Sequence, residues 1–291
     1  MSHFAVLVIG ENPEEQLAPY HEFESTEIDD EYVQDVDITK EVQLDIDRGT
    51  LEKALIGYDL ENVTVEDENN IDKKDKHKYR YAVVRDGKLV KAIRRTNPNY
   101  KWDWYQLGGR YEGFTLKDGK KLPYALKQDI AFDAEKNAIK LQSTECYKQF
   151  HDFLSSAKIE YPKTWSECRK EYEQIEEARE FYKNQLAVKI IRKKKQNVFG
   201  EGPLFIRICS PLTCIFDFYK GSLEEFVKRQ VDSCCVTYAV IKDSKWYSKG
   251  DMGWFGISSN NVSDEDWNAQ YWELVNSVPD TTLFSLYDCH I

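Results

Sequence analysis

Membrane-length apolar runs are missing from this chain. The apolar start, Phe4–Ile9, is too short for a membrane span or a signal-peptide core, and no later stretch approaches the ~18 residues that a span requires. Phosphate-cradling glycine loops are missing too. Neither Gly-x-Gly-x-x-Gly nor Gly-x4-Gly-Lys follows the first strand-like run, and the acids Glu11, Glu14 and Glu15 placed there would repel a phosphate. The 7 cysteines are odd in number and show no Cys-x-x-Cys spacing, which excludes a disulfide framework or zinc ribbon. Cys234 and Cys235 are adjacent, within an apolar stretch that reads as a strand of buried free thiols. The 5 histidines form no His-x-x-x-His or His-Glu-x-x-His pattern, and no Gly-x-Ser-x-Gly elbow occurs. These absences give the expectation of a soluble cytoplasmic chain, not an enzyme, with no metal or cofactor implied.

What is present begins with a core. The chain has 291 residues, 41% of them apolar and 13% aromatic, enough for one large domain or two ordinary ones. Its net charge of −11 is segregated. Residues 11–70 carry 20 acidic and 3 basic side chains, a balance of −17. Residues 71–291 carry 31 acidic and 37 basic ones, a balance of +6. The acidic stretch is not a tail, because Leu17, Tyr20, Phe23, Ile38, Val42, Leu44, Leu55 and Ile56 run through it. Such a surface repels nucleic acid and suits either a basic partner or simple solvation.

The pattern along the chain predicts an α+β fold. Phe4–Ile9 reads as a buried strand, Asn12-Pro-Glu-Glu as a helix start, and Thr50-Leu-Glu-Lys as an N-capped turn. Tyr79–Ile93 reads as a hairpin turning at Asp86-Gly87. Tyr238–Tyr247 aligns on Tyr81–Val90 without gaps, and two similar hairpins suggest one shared antiparallel sheet. Ser263 caps a helix and Thr281–Ile291 closes as a strand, so the back of the chain reads hairpin, helix, strand. This is a ferredoxin-like arrangement, with an acidic insertion at 11–70. An amphipathic helix from Ser166 to about Lys195, breaking near Asn184, dominates the middle. The expected divisions are 1–115, 116–200 and 201–291. The run Val188-Lys-Ile-Ile-Arg-Lys-Lys-Lys complements a helix C-terminus.

Two constellations are candidate sites. Trp102-Asp-Trp-Tyr-Gln-Leu-Gly-Gly-Arg combines flat side chains, two glycines and an arginine. It reads either as a ligand pocket of Trp104, Tyr105, Gly108, Gly109 and Arg110, or as a tight turn with Arg110 paired to a buried acid such as Asp103. His3 opens the first strand, and Cys289 and His290 lie near the end of the last. If those strands are neighbours, these residues and His21 can converge on a zinc or a small active site.

Four blocks carry a resemblance: Ser2–Phe23, Asn97–Arg110, Lys245–Trp254 and Asp288–Ile291. Together they resemble a phage-encoded protein family that shares this opening, a central Asn-Pro-Asn-x-Lys-Trp-Asp-Trp-Tyr-Gln-Leu-Gly-Gly-Arg, a late Lys-Trp-Tyr-x-x-Gly-x-Met-Gly-Trp and a terminal Asp-Cys-His-Ile. The chain is also similar in size and lack of catalytic motif to the Gabija anti-defence proteins. That resemblance implies a homo-oligomer in the host cell cytoplasm that binds a host defence nuclease-helicase complex and blocks its DNA binding and cleavage. It does not touch nucleic acid or membrane directly. The charge pattern supplies a candidate partner surface at Glu22, Glu24, Asp29, Asp30 and Glu31. The alternatives are a nucleotide- or small-ligand-binding protein or enzyme using the Trp/Gly-Gly-Arg segment, and a virion or morphogenesis component.

Overall fold

The run Phe4–Ile9 does become a buried strand, and the way it is paired determines where the rest of the chain lies. The computed structural model describes residues 2–22, 31–58, 60–63, 80–194, 215–253 and 256–291. Within it the chain forms two compact units, 1–131 with 237–291, and 132–236. The cuts fall near 131 and 236 instead of 115 and 200, because the last strand returns to pair with the first.

In the first unit the strands, in chain order, are β1 (His3–Ile9), β2 (Gln34–Asp37), β3 (Glu61–Val63), β4 (Arg80–Arg85), β5 (Lys88–Thr96), β6 (Trp104–Leu107) and β7 (Phe114–Thr115). They continue as β8 (Lys121–Leu122), β9 (Tyr124–Leu126), β10 (Ala239–Lys242), β11 (Lys245–Ser248), β12 (Asp251–Met252), β13 (Ser258–Ser259) and β14 (Leu283–His290). The main sheet runs β11-β10-β1-β14-β6, with β9 also paired to β14. β1 is parallel to β10 and antiparallel to β14, in a register that sets His3 opposite His290 and Ile9 opposite Phe284. The pairing extends past the strands: Ser2 N donates to Ile291 O at 3.0 Å, and Ile291 N donates to Ser2 O at 3.1 Å.

Both faces of this sheet are covered, so β1 and β10 carry continuous apolar runs instead of alternating ones. Phe4, Val6, Val8, Ala239, Ile241, Tyr287 and Cys289 share one core with Leu17 and Trp102. Leu7, Val240 and Leu286 alternate to the other side and are also buried. The helix Asp264–Asn276, capped by Ser263 as expected, buries Trp267, Tyr271 and Val275. The Trp267 indole donates to Thr237 O at 2.8 Å.

The two look-alike hairpins do form, each over two residues of positive φ: Asp86 and Gly87 in one, Asp243 and Ser244 in the other. They do not share a sheet. β10–β11 joins the main sheet, whereas β4–β5 lies in a second one, ordered β2-β5-β4-β3. The cause lies in the acidic stretch, which is not one insertion. Pro13–Leu17 stays beside the main sheet through Leu17, but Ile38, Val42, Ala54 and Leu60 close over Ala82 and Ala92 of the hairpin. Thr39 Oγ1 accepts from Ala92 N at 2.8 Å. Thr50 caps Leu51–Gly57 by accepting from Lys53 N. Outside these two corrections, the expected order of hairpin, helix and strand at the back holds, and the fold is α+β.

The second unit is helical among the described residues. Its longest helix is Phe132–Ser156, followed by Trp165–Glu171, Ile175–Asn184, Leu186–Lys194, Ile215–Phe218 and Leu223–Asp232. The helix expected from Ser166 does break near Asn184, between Ile175–Asn184 and Leu186–Lys194, and it breaks once more at Tyr172. Tyr172 and Gln185 take extended ψ, and the breaks let Cys168, Ala178, Tyr182 and Val188 all face one core. Gln185 fixes the second break by hydrogen-bonding both backbone groups of Lys163. Tyr219 is sandwiched between Phe150 and Phe226, and burial pushes its hydroxyl above the ordinary tyrosine range. Cys234 and Cys235 are not in a strand. They lie in the turn after Leu223–Asp232 with their Sγ atoms 3.5 Å apart, and the φ of +62° at Cys235 is incompatible with a strand.

Candidate functional site

Neighbouring residues on a strand point to opposite faces, and register partners point to the same face. The pairing of β1, β14 and β6 therefore sorts the candidate residues before any contact is measured. His3 is opposite His290, which is opposite Trp104, and Asp288 is opposite Gln106. These share a face. Tyr105 is opposite Cys289, and both face the other way, into the aromatic core with Tyr287 and Trp102. Trp104 and Tyr105 thus cannot line one pocket. The five-residue Trp/Gly-Gly-Arg pocket does not assemble as such.

What assembles instead is a polar cluster on the histidine face. His3 and His290 meet edge to face with ring centroids 5.0 Å apart. Nδ1 of His3 is 2.9 Å from Asp288 Oδ1, and Nδ1 of His290 is 2.6 Å from Asp103 Oδ1. Each ring thus presents Nδ1 to a carboxylate and keeps Nε2 as its second nitrogen. Nε2 of His290 is buried without a hydrogen-bond partner. Asp288 is itself 97% buried, with 3% of its surface exposed. Its second oxygen accepts from Arg110 N at 3.1 Å and lies 3.7 Å from Arg110 Nε. The tight-turn reading of the glycines therefore holds, but the acid paired with Arg110 is Asp288, while Asp103 pairs with His290.

Gly108 and Gly109 make that arrangement possible. Both have positive φ, +74° and +50°, and a Cβ on Gly109 would overlap the Asp288 side chain, 2.6 Å from Oδ2. Arg110 and Trp104 remain about half exposed at the edge of the cluster. Tyr111 is half-buried, and burial, reinforced by the Asp288 charge, raises its hydroxyl above the usual range.

The strand pairing that brings His3 beside His290 does not recruit the rest of the zinc guess. Cys289 points away, and burial pushes its thiol well up. His21 Nδ1 faces Ala18 O at 2.7 Å, and its ring packs on Trp102. Among the described residues no group of three His, Cys, Asp or Glu side chains can hold a metal ion.

On the aromatic face of the same strand ends lies a cleft of about 240 Å³. Phe4, Pro98, Tyr100, Lys101, Trp246, Asp251 and Ile291, among its lining residues, come from all four blocks singled out in the sequence. Sequence reading missed it because its walls come from positions more than 200 residues apart. The signal that was available is the dense aromatic content of those blocks.

Of the acidic partner candidates, Glu22 and Glu31 are exposed, whereas Glu24, Asp29 and Asp30 lie outside the described residues. Exposed acids continue on the two helices that cover the second sheet, at Glu41, Asp45, Asp47 and Glu52. No helix among the described residues is long and apolar enough to cross a membrane. Comparison with known protein families, curated proteins and solved structures finds no match for this chain.

Proposed function

We propose that the paired histidines form an acid–base site for an anionic substrate of the phosphate-ester class, with Arg110 as its anion contact. One observation carries this reading: two histidines on neighbouring strands meet edge to face, each with Nδ1 on a carboxylate. A carboxylate on Nδ1 fixes the tautomer and steadies the imidazolium that forms when Nε2 takes a proton. Arg110, half exposed and tethered by its own backbone to Asp288, offers a guanidinium fork suited to phosphate. The test is turnover of bis(p-nitrophenyl) phosphate and of 2′,3′-cyclic nucleotides by the purified chain. His3→Ala and His290→Ala are expected to lose about 10²–10⁴-fold in kcat, while Arg110→Gln mainly raises KM. Folded histidine variants with unchanged turnover, or no turnover by the parent chain, would reject the reading.

A second reading is favoured by the acidic helices. There Leu44 and Ile56 stand 56% and 73% exposed among Glu41, Asp45, Asp47 and Glu52. Apolar side chains ringed by one sign of charge suit docking to a basic protein surface. In this reading the chain is an anti-defence protein, a homo-oligomer in the host cytoplasm that uses the surface to bind a defence nuclease complex and keep it from DNA. Neutralising Glu41, Asp45, Asp47 and Glu52, alone and together with Glu22, Glu24, Asp29, Asp30 and Glu31, is expected to weaken co-purification with the nuclease and to flatten its salt dependence. Undiminished capture across salt concentrations argues against this surface.

A further inference from the structure

The aromatic cleft is separate from the histidine cluster. Phe4 and His3 are adjacent on β1, so their side chains leave opposite faces of the sheet. The cleft therefore has to be explained on its own chemistry.

Its walls are rings. Phe4 packs edge-on against Tyr238 with centroids 5.5 Å apart and against Trp246 at 6.4 Å, while Tyr100 stands at the rim, 42% exposed. Its polar lining is narrow and of mixed sign. Lys101 Nζ lies 3.5 Å from Asp251 Oδ1, and both side chains are partly exposed. Asn260 donates to the other Asp251 oxygen at 2.8 Å, which fixes the carboxylate in place. The indole Nε1 of Trp246, one of the lining residues, is buried without a hydrogen-bond partner.

An ammonium beside a carboxylate contacts a ligand edge that carries an acceptor next to a donor. Every nucleobase has such an edge, and every nucleobase has a flat face for stacking on aromatic side chains. An aliphatic ligand would leave the pair unused, and a bare phosphate would meet the Asp251 charge. The volume of about 240 Å³ falls just below the range for drug-sized ligands, so it suits a single base.

We propose that the cleft between Phe4, Tyr100, Tyr238 and Trp246 binds a nucleobase, with Lys101 and Asp251 reading its hydrogen-bonding edge. The purine bases, with the larger stacking face, are the preferred occupants. Binding does not require the acid–base site, and either property can fail without the other.

The experiment is titration of the full chain with guanosine, adenosine, ribose 5-phosphate and L-tryptophan, followed by tryptophan fluorescence and calorimetry. Saturable binding of a purine nucleoside below about 1 mM is expected, with none for ribose 5-phosphate. Asp251→Asn and Lys101→Met are expected to weaken the nucleoside at least tenfold at unchanged Tm. They sit at the rim, so they remain informative if Trp246→Phe fails to fold. Three results would overturn the proposal: no saturable nucleoside binding, equal binding by ribose 5-phosphate, or a preference for L-tryptophan. Affinity indifferent to both rim variants would do the same.

Discussion

Asp288→Ala is expected to destabilise the first unit by about 2–3 kcal/mol, the cost of leaving buried hydrogen-bond donors without their charged acceptor. In a unit of this size that lowers the Tm by roughly 4–12 °C. The magnitude follows from what the carboxylate holds. His3 Nδ1, Arg110 N and the Arg110 guanidinium all converge on it, from two segments distant in sequence from it and from each other. Alanine would leave the Arg110 amide and the His3 ring without their acceptor in a desolvated place. Asn keeps the volume and one acceptor oxygen, so Asp288→Asn should fall between parent and alanine. Urea denaturation of the three proteins provides the measurement. A loss below about 1 kcal/mol for alanine would mean that the glycine turn, and not the carboxylate, holds these segments together.

The complementary change is Gly109→Ala, expected to cost about 3 kcal/mol and roughly 6–12 °C in Tm. Two penalties combine here: a left-handed backbone that L residues adopt reluctantly, and a methyl group driven into the Asp288 side chain. Gly119 separates them. It too has positive φ, +85°, but a Cβ there meets nothing within 4 Å. Gly119→Ala should therefore cost only the backbone part, about 1 kcal/mol. Equal losses at the two positions would show that conformation alone matters and that the close approach to Asp288 is relieved by a small shift.

These two changes also mark the limit of what can be read from sequence. Local features were legible because each depends on a few adjacent residues. The first strand, the Thr50 and Ser263 caps, both two-residue hairpin turns and the final strand follow from apolar runs, capping chemistry and turn residues. Pairing between distant segments was legible only in part. His3 and His290 were candidates on condition that their strands met, and they do. The acid that meets Arg110 was not decidable, because Asp103 and Asp288 both adjoin aromatic residues and only the strand pairing distinguishes them. The two hairpins misled for a related reason: similar local patterns do not specify which sheet a hairpin joins. That choice was made by Ile38, Val42 and Ala54, apolar residues set within a heavily charged stretch. The cleft was the least legible feature, since no short segment contains enough of it to be recognised.

The placement of β14 also bears on how this protein is made. The strand lies between β1 and the β6–β9 edge, so the middle of the main sheet is supplied by residues 283–290. β1 is synthesised well before β14 and has to wait, with its apolar run uncovered, until the residues between Ile9 and Leu283 have been made. Contacts of such long sequence separation are slow to form, and strands exposed in the interval invite aggregation or chaperone capture. The helical unit, 132–236, is complete before β10 and β14 exist and has its own core, so it can fold first. Synthesis thus orders assembly: the helical unit folds before the main sheet, which closes only when β14 arrives.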